Sequence, residues 1–230
     1  MVMGDIMFDR EIKLIGEDNF NKIKEKKVVV IGIGGVGGYA VEALVRAGIQ
    51  NLIIVDYDIV DITNLNRQII SLHENIGMKK TDVIKDRINK INPNCNVIVI
   101  DKKLDENNTK ELFNYDIDYI IDACDTLKVK EQLILECSNR NIKLISSMGT
   151  GNKLNPELLK ITDIKKTSYD PLAKKLRKFV KDNNIKNKVM VVSSTEEAKK
   201  IEGVISSISY VPSVAGLLCT SYVINDIINN

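Results

Sequence analysis

Five short runs of β-branched residues, each separated from the next by a stretch with helical spacing, leave this chain few ways to fold. The runs are Lys27–Gly32 (KVVVIG), Asn51–Asp56 (NLIIVD), Asn96–Asp101 (NVIVID), Asp118–Asp122 (DYIID) and Lys143–Ser146 (KLIS). Their near-continuous apolar character predicts strands buried on both faces. Between them, Val36–Ala47 is rich in Ala, Val and Leu and stops at Gly48, Lys79–Ile91 places Val83, Ile84, Arg87, Ile88 and Ile91 at helical spacing, and Leu127–Asn139 forms a third helical stretch. Strand and helix alternating over about 120 residues imply a parallel sheet with right-handed crossovers, an α/β Rossmann-like fold with flanking helices. A nucleotide site is then expected at the carboxyl ends of the strands. Apolar side chains make up 44% of the 230 residues and charged ones 28%, enough for one compact core, and this excludes disorder, collagen and a disulfide-stapled peptide.

After residue 150 the alternation breaks. Leu158–Ile164 reads as an added strand, Pro171–Asp182 as a short helix with Leu172, Leu176 and Phe179 on one face, and Asn183–Lys188 as a mobile polar loop. Positions 153–190 hold eleven Lys or Arg against four acids, a local charge of +7 that leaves −5 for the rest of a chain whose total is +2. Lys174, Lys175, Arg177, Lys178 and Lys181 crowd the outer face of the helix, either as a solvated surface or as a contact for a polyanion. Residues 203–225 carry no charge, but Pro212 interrupts them and Ser and Thr dilute them. A strand at Val204–Ser209 followed by a buried helix from Pro212 is expected, with peripheral membrane contact as the alternative. The opening MVMGDIMFDREIK meets charge before any apolar run of signal-peptide length, so no secretion is expected. Cysteines at 95, 124, 137 and 219 have no metal-ribbon spacing and fit a reducing, cytoplasmic setting.

The chemistry concentrates at the carboxyl ends of the early strands. Gly32-Ile33-Gly34-Gly35-Val36-Gly37 follows a strand and opens a helix, the context in which glycines let a backbone approach phosphate. Asp56 ends the next strand, nineteen residues after Gly37, where a carboxylate can accept both ribose hydroxyls. Those two features specify only a nucleotide. The polar stretch that follows, DYDIVDITNLNRQ from Asp56 to Gln68, goes further, because hydride transfer has no need of it and cleavage of a triphosphate does. Arg67 can grip phosphate through two N–H groups, Asn64 and Gln68 can orient oxygens, and Lys80 can reach the same place. Asp125, closing the run Asp122-Ala123-Cys124-Asp125, emerges at the strand edge as a magnesium ligand.

The ordered set GIGGVG, DYDIVDITNLNRQ, GMKK and DACD resembles the ubiquitin-activating-enzyme-like adenylyltransferase superfamily, whose members activate a carboxylate by transferring AMP to it. The segments REIKLIG, INPNCNV, ITDIKKTSYDPLAKKLRK, STE at 194–196 and GVISSISYVPSVAGLL are similar to its tRNA-modifying dehydratase branch, and the likeness runs from about residue 8 to 224. The resemblance implies a single ATP-binding domain with a nucleotide-binding half (1–150), a basic crossover region (151–200) and a C-terminal strand and helix (201–230). It implies ATP and Mg²⁺ as cofactors, tRNA carrying threonylcarbamoyladenosine as partner, and adenylation of that group's carboxylate at position 37 followed by cyclisation. Within it Arg67 and Lys80 would neutralise charge at the α-phosphate, Asp125 would hold magnesium, Asp56 would fix the ribose, and Asp58 would either assist the metal or cap the loop. A homodimer is implied, with Arg10 either reaching the other subunit's ATP or merely solvated. A sulfur-transfer protein is also compatible as a partner.

Relatives that activate ubiquitin-like or sulfur-carrier proteins commonly carry two Cys-x-x-Cys pairs and a cysteine on the crossover. This chain has neither, since no cysteine falls between Cys137 and Cys219. Such an activator is still the main alternative, because it would share every ATP-site residue. An NAD-dependent dehydrogenase and a nucleotide-binding scaffold without turnover stand behind it. His73 reads as a hydrogen-bonded structural imidazole, Cys124 as a small hydrophobe, Lys79 as the exposed neighbour of Lys80, and Thr195 and Glu196 as motif residues without a derived role.

Overall fold

The computed structural model describes residues 6–203 and 205–230. Two helices, α1 (Asp9–Ile15) and α2 (Glu17–Glu25), lead into β1 (Lys27–Ile31). Then come α3 (Gly37–Arg46), β2 (Asn51–Asp56), α4 (Lys80–Ile91), β3 (Asn96–Asp101), β4 (Tyr119–Asp122), α5 (Leu127–Arg140) and β5 (Lys143–Ser147). The chain finishes with β6 (Leu159–Asp163), α6 (Pro171–Asp182), β7 (Met190–Ser194) and α7 (Tyr210–Asn229). All seven strands form one sheet in the order β3-β2-β1-β4-β5-β7-β6, parallel except for β6, which runs antiparallel to β7 at the edge.

Alternate strand residues feed two cores, because successive side chains point to opposite faces. Val28, Val30, Leu52, Ile54 and Ile121 face α3, α4 and α7, whereas Val29, Ile31, Ile53, Val55 and Ile120 face α5 and α6. Each such side chain, fully buried, stabilises the fold by about 1.5–3 kcal/mol. The expectation of burial on both faces fails for β3. It is an edge strand with a neighbour on one side only, and its residues are exposed or half-buried.

β7 is the element the sequence conceals. Its short apolar run, Val189–Val192, follows a polar loop and gives way to Ser193 and Ser194, which resemble loop residues yet are buried, with Ser194 Oγ accepting the Glu196 N–H at 3.0 Å. The strand expected at 204–209 is absent from the described part, 205–209. Instead of joining the sheet, that segment is stitched to two loops: Asn66 Nδ2 donates to the Ser207 carbonyl (3.1 Å), and the Asn152 side chain accepts from Ser206 N–H (2.7 Å). Val204 itself lies outside the described residues. α7 starts two residues before Pro212, which its first turn tolerates because those N–H groups need no helical partner. By length and composition it could cross a membrane, yet Val211, Ala215, Cys219 and Val223, at four-residue spacing, are wholly buried against the sheet and its helices. The loop after α6 is also more anchored than expected, since Ile185 sits in the second core.

Glu42 ties α3 to α4. It accepts from Arg46 Nε at 2.8 Å and from Arg87 Nε and Nη2 at 2.6 and 3.1 Å. Burial works against its charge, but the two guanidinium groups overcome it and hold the carboxyl below its ordinary value. The stabilisation is therefore complete above the unfolded pKa and is lost as pH falls through the lower native one. Glu42→Gln is expected to cost about 2 kcal/mol in urea unfolding at neutral pH, with the gap between variant and wild type closing in acid.

Candidate nucleotide cleft

β1 and β4 are neighbours in the sheet, but the chain leaves β1 towards β2 on one side and β4 towards β5 on the other, which makes their carboxyl ends a topological switch point. A cleft of about 320 Å³ opens there, lined by the glycine turn, Asp56, the loop that follows it, Lys80 and the turn after β4. Gly32 has φ +85°, and a Cβ there would lie 2.9 Å from the Ala123 carbonyl oxygen, so only glycine lets the two turns approach. A Cβ on Gly37 would sit 1.8 Å from the Gly32 carbonyl oxygen. Gly34 and Gly35 line the opening, where a phosphate can meet the first turn of α3.

Asp56 is 7% exposed. Its Oδ1 accepts the N–H of Tyr57 (2.7 Å) and of Asp58 (2.8 Å), and its Oδ2 accepts that of Ile33. A carboxylate offers about four acceptor sites, so one is left for a ligand. Those backbone bonds hold the carboxylate in a fixed orientation beside the cleft.

The 23 residues between β2 and α4 form a closed loop. Ile59 bridges to Lys79, Val60 N–H donates to the Met78 carbonyl (2.8 Å), and Gly77 N–H to that of Val60 (2.8 Å). Asp61 and Asn64 cap a short 3-10 turn that turns Arg67 and Gln68 towards the cleft. Arg67 Nη1 donates to the Thr63 carbonyl (2.7 Å) and to Asn66 Oδ1 (3.0 Å), which leaves the rest of the guanidinium without a partner among the described residues. Gln68 Oε1 is buried with no hydrogen bond, an orphaned polar atom of the sort a bound ligand or water satisfies.

Lys80, only 4% exposed, brings its ammonium into the cleft and pairs with Asp58 Oδ2 at 3.0 Å. Asp58 thus partners Lys80 and keeps a side chain that is 48% exposed. Lys79 turns outward to pair with Asp101.

Asp125 lies exposed on the rim, where its one side-chain hydrogen bond among the described residues comes from the Thr126 hydroxyl at 3.4 Å. No cluster of three acidic, His or Cys side chains able to hold a metal occurs among the described residues. A divalent ion here would take one carboxylate and fill its shell with phosphate oxygens and water, the usual way magnesium is held at nucleotide sites. The donor set fits that arrangement.

The structure does not bring the remaining candidates to the cleft. Arg10 is exposed on α1 and is not part of the lining. On α6, Lys174, Lys175, Lys178 and Lys181 are exposed, whereas Arg177 is tied to the Thr167 hydroxyl and carbonyl. The face that α6 buries is Ala173, Leu176 and Val180, with Leu172 and Phe179 half-buried beside it. His73 is exposed and makes no hydrogen bond among the described residues, contrary to the structural imidazole expected. Glu196 acquires a structural role, accepting the N–H groups of Leu154 (2.9 Å) and Asn155 (2.8 Å).

Sequence reasoning missed Lys130 and Asp122. Lys130 occupies the inward position of a helix whose other inward residues are Leu133, Ile134 and Cys137. A charge in an apolar stripe was the available signal. Cys124 is not simply a small hydrophobe, because its thiol donates to Asp122 Oδ1 at 3.1 Å. Burial, then the Asp122 charge, pushes that thiol far above its ordinary value; burial alone raises Cys95 to about 11, and burial, little altered by Lys130 and Asp122, raises Cys219 to about 12. Cys137 is raised as well, mainly by burial. None of the four can act as a thiolate nucleophile near neutral pH. Ellman's reagent at pH about 8, below these raised values, is therefore expected to leave the native protein almost unlabelled and to label all four cysteines in denaturant.

A parallel sheet whose switch-point cleft holds a glycine turn, a ribose-type aspartate and a cationic loop defines a nucleotide-binding α/β protein of the adenylate-forming kind. The profile of the ThiF family matches residues 8–229, and the chain belongs to that family. It is 41% identical to the tRNA threonylcarbamoyladenosine dehydratase of Bacillus subtilis, over 97% of this chain and 95% of that one. The crystal structure of the E. coli tRNA N6-threonylcarbamoyladenosine dehydratase in complex with ATP superimposes with a TM-score of 0.92 at 34% identity, covering 98% of this chain and 95% of that one. The molybdopterin-synthase adenylyltransferase of Haemophilus influenzae is 32% identical over 62% of this chain and 59% of its own length.

Proposed function

We propose that the protein is an ATP-dependent tRNA threonylcarbamoyladenosine dehydratase. The observation that carries this reading is the convergence of Lys80, Arg67 and Gln68 on one cleft, with Asp56 and Asp125 also lining it. The carboxylate of the threonylcarbamoyl group attacks the α-phosphate of ATP, and pyrophosphate leaves. The carbamoyl group of the same side chain then closes on the acyl-adenylate and expels AMP, so that the nucleoside loses one water. Because both reacting groups belong to one substrate, proximity is built in, and the protein's task is to orient and to stabilise charge.

Lys80 and Arg67 neutralise the charge that builds on the α-phosphate. Gln68 Nε2 lies on the Gly34 side of the cleft and donates to phosphate oxygen, and Asp56 holds the ribose through its remaining acceptor site. Magnesium, when bound, screens the phosphates, and Asp125 would hold it. The exposed lysines of α6 carry the tRNA backbone, a contact that sets position rather than reads sequence. A role for Arg10 requires a second copy of the chain, so its action belongs to a homodimer. The proposed setting is cytoplasmic.

The purified protein, given ATP and tRNA carrying threonylcarbamoyladenosine, should yield a nucleoside lighter by one water, detected by mass spectrometry of the digest. Unchanged tRNA, together with adenylation of a carrier protein's C-terminus, would overturn the reading.

A further inference from the structure

The turn after β4 carries Asp125, yet almost nothing holds the Asp125 side chain itself. Its position is inherited from the backbone of the turn, and that backbone sits on a buried polar cluster. Lys130, 0% exposed, uses all three ammonium protons there: Nζ donates to Asp122 Oδ2 (2.9 Å), Ser146 Oγ (3.1 Å) and the Ser147 carbonyl (2.9 Å). Asp122, also 0% exposed, is equally saturated, since Oδ2 accepts from the Ser146 hydroxyl (2.6 Å) as well, and Oδ1 accepts from Cys124 N–H (3.2 Å) and the Cys124 thiol (3.1 Å). Burial works against the Lys130 charge, but Asp122 outweighs it and the ammonium is held above its ordinary value. Every polar side-chain atom of the pair is thus hydrogen-bonded.

A buried ion pair is seldom more stabilising than apolar packing of the same volume, so stability alone gives no reason for a lysine in the apolar stripe of α5. What the pair supplies is geometry. It joins the end of β4, the Ala123–Cys124 turn, α5 and the end of β5, while Gly32 closes on the same turn from the other side. Cys124, Asp125, Thr126 and Val129, which line the cleft, all lie between its two members in sequence.

We propose that Asp122 and Lys130 are positioning residues, which fix the turn so that the Asp125 carboxylate meets the metal and phosphates of bound nucleotide. The proposal rests on the adenylate-forming reading above. Its test is calorimetric titration of ATP with magnesium and with EDTA, together with the single-turnover rate, for wild type, Lys130→Met and the paired variant Asp122→Asn/Lys130→Met. The paired variant leaves no unpaired buried charge and is expected to fold even where the single one does not.

Metal-free ATP affinity should stay within about twofold of wild type, while the gain conferred by magnesium and the turnover rate should both fall about 10–100-fold, as for other groups that orient a metal ligand. A purely structural pair would lower the melting temperature and leave the magnesium-dependent gain intact. The inference alone fails if wild type binds Mg-ATP and the folded variants keep both that gain and the rate, or if wild-type ATP binding gains nothing from magnesium. Absence of ATP binding by wild type would instead remove the functional reading together with it.

Discussion

Lys80→Met is expected to slow adenylate formation by about 10²–10³-fold, the loss typical of removing one preorganised donor to a transition-state charge. The equivalent barrier is about 3–4 kcal/mol. The substitution suits the test because Met fills nearly the same buried volume as the lysine stem, so packing is little disturbed. Asp58, which loses its partner, has a side chain 48% exposed and regains solvation from water. The effect should therefore appear in rate and not in stability. ATP–pyrophosphate exchange in the presence of modified tRNA, read beside a thermal melt, separates the two. Exchange within about threefold of wild type, too small for a lost transition-state donor, would show that Lys80 is not the charge-stabilising cation.

Gly37→Ala attacks the other half of the site. Its new methyl would fall 1.8 Å from the Gly32 carbonyl oxygen, backbone that cannot yield without moving the end of β1. Overpacking of this kind costs about 3 kcal/mol or more, equivalent to a melting point lower by about 10 °C in a chain this long. Relief by displacement would pull the glycine turn away from the phosphate position, so ATP binding should be lost along with stability. Calorimetry on the folded variant measures the first and a thermal melt the second. Wild-type values in both would mean that the helix starts elsewhere.

Much of this was legible in the sequence, and particular residues show why. β2 and β3 fall where β-branched runs are bounded by turn residues, and the glycine turn is placed by its position between a strand and a helix. The cleft residues Arg67, Gln68 and Lys80 were readable because polar groups in that number serve little purpose next to a ribose acid unless phosphate is present. What stayed hidden depends on long-range partners. Glu196 has no readable role until it is seen accepting the N–H groups of Leu154 and Asn155, Asp56 looks free until the N–H groups of Ile33, Tyr57 and Asp58 are found on it, and Arg177 looks like surface charge until Thr167 claims it. Each of these depends on where the chain returns in space, which local pattern does not encode. The edge location of β3 was hidden for the same reason, since strand order is fixed by crossovers and not by the residues of one strand.

The loop between β2 and α4 is shut at its neck by the Ile59–Lys79 bridge and the Asp58–Lys80 pair, so the end of β2 and the start of α4 lie close together. It is in effect a cassette plugged into an ordinary dinucleotide-type scaffold. Change within this insert can therefore alter the contributions of Arg67 and Gln68 while the strands that place Asp56 and Asp125 stay as they are.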